Sequence, residues 1–86
     1  MGLDEITPHL FKIATLYLKN QKRKVGWLYI DMEARSNGIP LTEVFFLSVQ
    51  KGKKYLDAIN NRDHAALISS SETIPFEMIE RIRSSK

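Results

Sequence analysis

With 86 residues, 43% hydrophobic and 27% charged, the chain has the composition of an ordinary globular protein, and a single domain over 1–86 is expected. A domain of this size buries only about three-fifths of its unfolded surface, and the absence of cysteine excludes structural disulfides and thiolate metal sites. Thirteen basic against ten acidic residues leave a net charge of +3, a surplus that permits an anionic partner without demanding one.

Met1 to Ile6 reads as a short lead-in. Thr7-Pro8 then supplies a helix start, with threonine at the N-cap and proline in the first turn. Leu10, Ile13 and Tyr17, with Phe11, Ala14 and Leu18, recur at spacings of three and four, which predicts an amphipathic helix ending near Asn20. The run from Lys19 to Lys24 contains no apolar or acidic residue and suits a helix C-terminus followed by an exposed connection.

Most of the large apolar residues lie between Val25 and Val49, in two runs hinged at Ser36-Asn37-Gly38-Ile39-Pro40. Two architectures fit this stretch. In the first, Gly38 is the left-handed residue that closes a helix and Leu41-Thr42-Glu43 opens another. In the second, Asn37-Gly38 is the two-residue turn of a β-hairpin, pairing Ile30 with Phe45, Tyr29 with Phe46 and Leu28 with Leu47. Pro40 weighs against the hairpin because it cannot donate to a strand ladder.

Beyond the hinge, Tyr55, Leu56 and Ile59 continue a helical pattern as far as Asn60-Asn61, and Asp63 caps a short helix carrying Ala66, Leu67 and Ile68. Thr73-Ile74-Pro75 repeats the arrangement at Thr7-Pro8. Phe76, Ile79 and Ile82 recur every three residues, predicting a last helix with Glu77 and Glu80 early and Arg81 and Arg83 late. The expectation is an all-α bundle of four to five short helices with a helix-turn-helix-like pair at 30–50. The alternative is an α+β fold with a hairpin at 25–49.

Set on Gly38, the hinge has Ala34 four residues before it, Ile39 just after it, and Val44 and Leu47 as apolar anchors. Those positions resemble helix-turn-helix proteins. The resemblance implies a second helix offering Thr42, Glu43, Phe45, Phe46 and Gln50 to a DNA groove. No family is recognised across the whole chain.

Lys19, Lys22, Arg23 and Lys24 form one basic cluster, Lys51, Lys53 and Lys54 a second, and Arg81, Arg83 and Lys86 a third. The first two are the candidate nucleic-acid-binding residues, with Trp27 and Tyr29 close enough in sequence to stack on bases. Phe45 and Phe46, about 100° apart on a helix, cannot share one narrow core face. With Trp27 they are candidate anchors for a protein partner or a homodimer.

His9 and His64 are two scattered imidazoles, too few for a closed zinc site, and Gly52-Lys53-Lys54 lacks the flanking residues of a phosphate-binding loop. No serine has a histidine or aspartate at motif spacing. The expectation is therefore a cytoplasmic, non-enzymatic binding protein without metal or cofactor. It works either on nucleic acid as a regulatory domain or as an adaptor or inhibitor on another protein. No small-molecule substrate or membrane is indicated.

Overall fold

A computed structural model describes residues 2–84; two of the sequence candidates, Lys86 and the side chain of His64, lie outside the described part. There are short helices α1 (Leu3–Ile6), α2 (Met32–Ser36), α3 (Val49–Gly52), α4 (Leu56–Asn60) and α5 (His64–Ile68), the last three consecutive with no strand between them. The strands are β1 (Ile13–Leu18), β2 (Arg23–Tyr29), β3 (Glu43–Ser48), β4 (Glu72–Pro75) and β5 (Ile79–Ser84), with 3-10 turns at Thr7–His9, Lys53–Tyr55 and Phe76–Met78. The fold is α+β, which overturns the all-α bundle and the helix-turn-helix at 30–50. No described helix is long and apolar enough to cross a membrane.

The five strands form one sheet in the order β4-β3-β2-β1-β5, antiparallel throughout. Strands β4 and β5 follow one another in the chain yet occupy opposite edges, joined only by Phe76–Met78. Four strand spacings would place the edges of a flat sheet about 19 Å apart. A 3-10 turn rises only about 2 Å per residue, so the sheet must curl until its two edges approach.

Curling gives the sheet an inner face, which is buried, and an outer face, which is buried around Trp27, Tyr29 and Leu47. Ala14, Leu16, Leu18, Leu28, Val44, Phe46, Ile74 and Ile79 fill the inside together with Ile6 from α1. On the outside, Trp27, Tyr29 and Leu47 are roofed by Ile59 of α4 and Leu67 of α5. Adjacent Phe45 and Phe46 therefore divide between the two cores, as strand alternation requires.

Strands β2 and β3 do pair, but in the register Trp27↔Leu47, Leu28↔Phe46 and Tyr29↔Phe45, one residue away from the two-residue hairpin. A one-residue shift exchanges faces, so the alternatives are distinct structures. The real connection, residues 30–42, contains α2. The Asp31 carboxylate caps α2 by accepting from the Ala34 N–H at 3.0 Å. Gly38 closes it at φ +73°, where the Ile39 N–H donates to the Ala34 carbonyl at 2.9 Å and the Gly38 N–H to that of Arg35 at 3.1 Å. Gly38 is thus the helix-ending residue expected from the sequence. The next element is a strand, because Val44-Phe45-Phe46-Leu47 is needed on both faces of the sheet.

The first and last expected helices are also strands. Residues 13–18 form β1, which turns through Lys19-Asn20-Gln21, with Gln21 in the left-handed region at φ 68°, into β2. After Pro75 only the 3-10 turn is helical before β5 begins. The Asp63-capped helix is present as α5, with the Ala66 N–H donating to the Asp63 carboxylate at 3.4 Å.

One polar atom stands out in the outer core. Tyr29 is fully buried, its ring meets that of Phe11 edge-on at 5.3 Å, and its hydroxyl has no hydrogen-bond partner among the described residues. Burial pushes its pKa well above the ordinary tyrosine value. An unpaired buried hydroxyl costs about 1–3 kcal/mol relative to an apolar atom in its place. Tyr29→Phe should therefore leave the thermal midpoint unchanged or raise it by several degrees. A clear fall in calorimetry would mean that the hydroxyl makes a bond that holds the core together.

Candidate nucleic-acid interface

Of the residues singled out as partner anchors, Trp27 and Phe46 are buried and Phe45 is partly buried. Trp27 lies beneath α3, whose Gly52 has no side chain and so lets the backbone rest on the indole ring. Phe46 is 5% exposed in the inner core, and Phe45 packs at the margin of the outer one. Exposing Trp27 or Phe46 to a partner would mean opening a core.

The lysines are differently placed. Strand alternation sends Lys24 to the inner side of β2, at the open end of the curled sheet, where its ammonium stands 5.8 Å from the Phe46 ring centroid. It donates to both carboxylate oxygens of Glu72 on β4, at 2.8 and 3.1 Å. Lys22, in the β1–β2 turn, lines a recess with Lys24, Asn20, Glu72 and Thr73. A second recess continues from Glu72 past Ser48 and Ser70 to Lys51 of α3. A third runs on from Lys51 and Ser70 to Lys54 and Tyr55.

Neighbouring recesses share Glu72, then Lys51 and Ser70, so the three lie side by side as a grooved track across the end of the sheet. Clusters some thirty residues apart in the chain meet there, because β3 ends beside the start of β2 and hands the chain directly to α3. Four lysines against one glutamate give the groove a charge of +3, equal to the net charge of the entire chain. Lys22, Lys51 and Lys54 make no ion pair with any described residue. Ser69 and Ser71 donate their hydroxyls to the Ala66 and Leu67 carbonyls at 3.0 and 2.6 Å, whereas Ser48 and Asn20 only accept, from the Lys51 and Lys22 N–H groups, so Ser48, Ser70, Thr73, Tyr55 and the Asn20 amide keep donors for a ligand.

No family model, curated protein or solved structure matches the chain. The functional reading therefore rests on this geometry alone.

Other candidates from the sequence lie apart from the groove. Lys19 is exposed in the β1–β2 turn and Lys53 in the 3-10 turn after α3, and neither lines it. Arg23, between Lys22 and Lys24 in the chain, projects to the outer face. His9 is tied through Nδ1 to the Ser84 hydroxyl of β5, which joins the first 3-10 turn to the sheet edge. Burial, and after it the nearby Lys12 ammonium, lower the His9 pKa below its ordinary value. Sequence reasoning missed Glu72 as a member of the site. The only signal was its position as the lone acid directly after the serine run.

Proposed function

We propose that this protein is a non-enzymatic nucleic-acid-binding module that holds phosphates along the lysine groove. The supporting observation is the convergence of Lys22, Lys24, Lys51 and Lys54 on one open channel, with hydroxyl donors between them. Lysine is a flexible point charge without the planar fork that reads a base edge, so such a channel suits backbone contact without sequence preference. Neutralising phosphates releases counterions, and log K should fall with log salt by about 0.7–0.9 per phosphate neutralised.

Fluorescence anisotropy of labelled oligonucleotides over a salt series tests this reading. The expected result is roughly micromolar binding at low salt with a slope of about −2 to −4. Absence of binding at low salt, or affinity indifferent to salt, would sink it.

The ion pair adds a sharper expectation. Glu72 opposes any phosphate in the middle of the groove and occupies Lys24, and its side chain is half-exposed, so the pair contributes little to stability. Glu72→Gln should bind oligonucleotides several-fold more tightly, with a slope steeper by about one ion and an almost unchanged thermal midpoint. Weaker binding by this variant would place the phosphates elsewhere.

A further inference from the structure

The outer face of the sheet is roofed on one half only. Helices α3–α5 cover Trp27, Tyr29 and Leu47, whereas the half made by β5, β1 and the start of β2 is open, with Val25 43% exposed. Two rows of residues cross this open half. The register aligns Arg81, Tyr17 and Arg23 in one row and Arg83, Thr15 and Val25 in the next. Arg81 lays its guanidinium over the Tyr17 ring, 4.2 Å from the centroid. Arg81 and Arg83 of the third basic cluster and Arg23 of the first thus lie in adjacent positions around the partly buried Tyr17.

Tyr17 is on the outer side with Ile13 and Thr15, while Ala14, Leu16 and Leu18 fill the inner core. Arg81 and Arg23, each one strand away, are roughly 10 Å apart with Tyr17 between them. Glu80 projects beside Arg81 from a bulge in β5 and lines the same recess, leaving three arginines against one carboxylate. The face also joins the groove. Lys22, Arg23 and Lys24 are consecutive, and alternation sends Lys24 into the groove and Arg23 onto this face, so one polymer can follow the β1–β2 turn from one to the other.

We infer that Tyr17 and Arg81 form a base-stacking site, and that the nucleic acid this protein takes is single-stranded. The inference rests on the phosphate-binding reading of the groove and adds to it the class of nucleic acid. In a duplex the bases are stacked on one another and only phosphates and groove edges face a protein. An outward-facing tyrosine ring stacked with the Arg81 guanidinium would then have nothing to meet. In a single strand the bases can turn outward and stack on an aromatic ring or on an arginine plane, with the neighbouring arginines on the flanking phosphates.

The experiment compares three probes of equal length and label: a single strand, the same strand with abasic sites throughout, and a duplex. The abasic strand keeps the phosphates and removes everything that can stack. The single strand should bind roughly tenfold more tightly than the abasic strand, and more tightly than the duplex at matched charge. Tyr17→Leu, which keeps an apolar residue on the face, should remove that tenfold difference while leaving abasic binding and its salt slope unchanged. Arg81→Gln should reduce the difference as well, and circular dichroism would verify that both variants are folded. Equal affinity for the normal and abasic strands, or full retention of the difference by folded Tyr17→Leu, overturns the stacking site and leaves the groove standing. Failure of all three probes to bind overturns both.

Discussion

Gly26→Ala should destabilise the protein by at least about 3 kcal/mol, lowering the thermal midpoint by roughly 15 °C. Gly26 is buried in the middle of β2, opposite Ser48 on β3. A methyl group built on it would overlap the main-chain carbonyl of Leu47 and lie 2.9 Å from the Phe46 ring. A flexible side chain could move aside, but a carbonyl in the adjacent strand moves only if the strand moves. β2 and β3 form the centre of the sheet and contribute residues to both cores, so displacing one against the other disturbs Leu28 and Phe46 inside and Trp27 and Leu47 outside together. Inserting a methyl into a well-packed core costs about 1–3 kcal/mol even where the neighbours are side chains, and this neighbour is backbone. Total stability for a chain of this size is on the order of 4–13 kcal/mol, so the variant would lie near the threshold of folding. Chemical denaturation of wild type and variant measures the difference. A loss below about 1 kcal/mol would show that the strands can separate locally without disturbing either core.

The same double burial explains why the sheet was hard to read from the sequence. A strand with one wet face alternates apolar and polar, but β1 sets Ala14, Leu16 and Leu18 in the inner core and still carries the apolar Ile13 and Tyr17 on its less covered outer side. With alternation erased, spacings of three and four arise by coincidence and imitate a helix. In β5 the imitation has a specific cause. Ile82 pairs with Leu16 and Ile79 with Leu18, so both point inward although they are three residues apart, because Glu80 is an extra residue in a bulge. A strand with a bulge thus gave the spacing of a helix. Features fixed by neighbouring residues were legible: Gly38 ends a helix, and Asp63 starts one. The lysine clusters were visible as charge, but their meeting in one groove depends on β3 returning beside β2. Tyr17, read as a core residue of a helix, became a surface candidate only once the register had placed it between Arg81 and Arg23.

If the groove holds phosphate as proposed, charge position rather than charge amount should govern binding. Replacing Lys22, Lys51 and Lys54 together by alanine removes three cations that make no ion pair with a described residue, and all three side chains are exposed, so the fold should tolerate the change. If each holds one phosphate, the salt slope should become shallower by about 2–3, and affinity near 0.1 M salt should fall on the order of a hundredfold. The two proteins should converge as salt approaches about 1 M, because the lost contribution is counterion release and vanishes there. A second triple variant, Lys12, Arg35 and Lys53 to alanine, makes the same change in net charge away from the groove and should lose only the modest part due to the overall field. Equal losses in the two variants would mean that the +3 charge acts as a diffuse cloud, and that the groove has no privileged place in binding. A loss confined to the first variant would localise the phosphates between β2, β4 and α3. Glu72→Gln, acting at the centre of that track in the opposite direction, would then have to strengthen binding in the same assay.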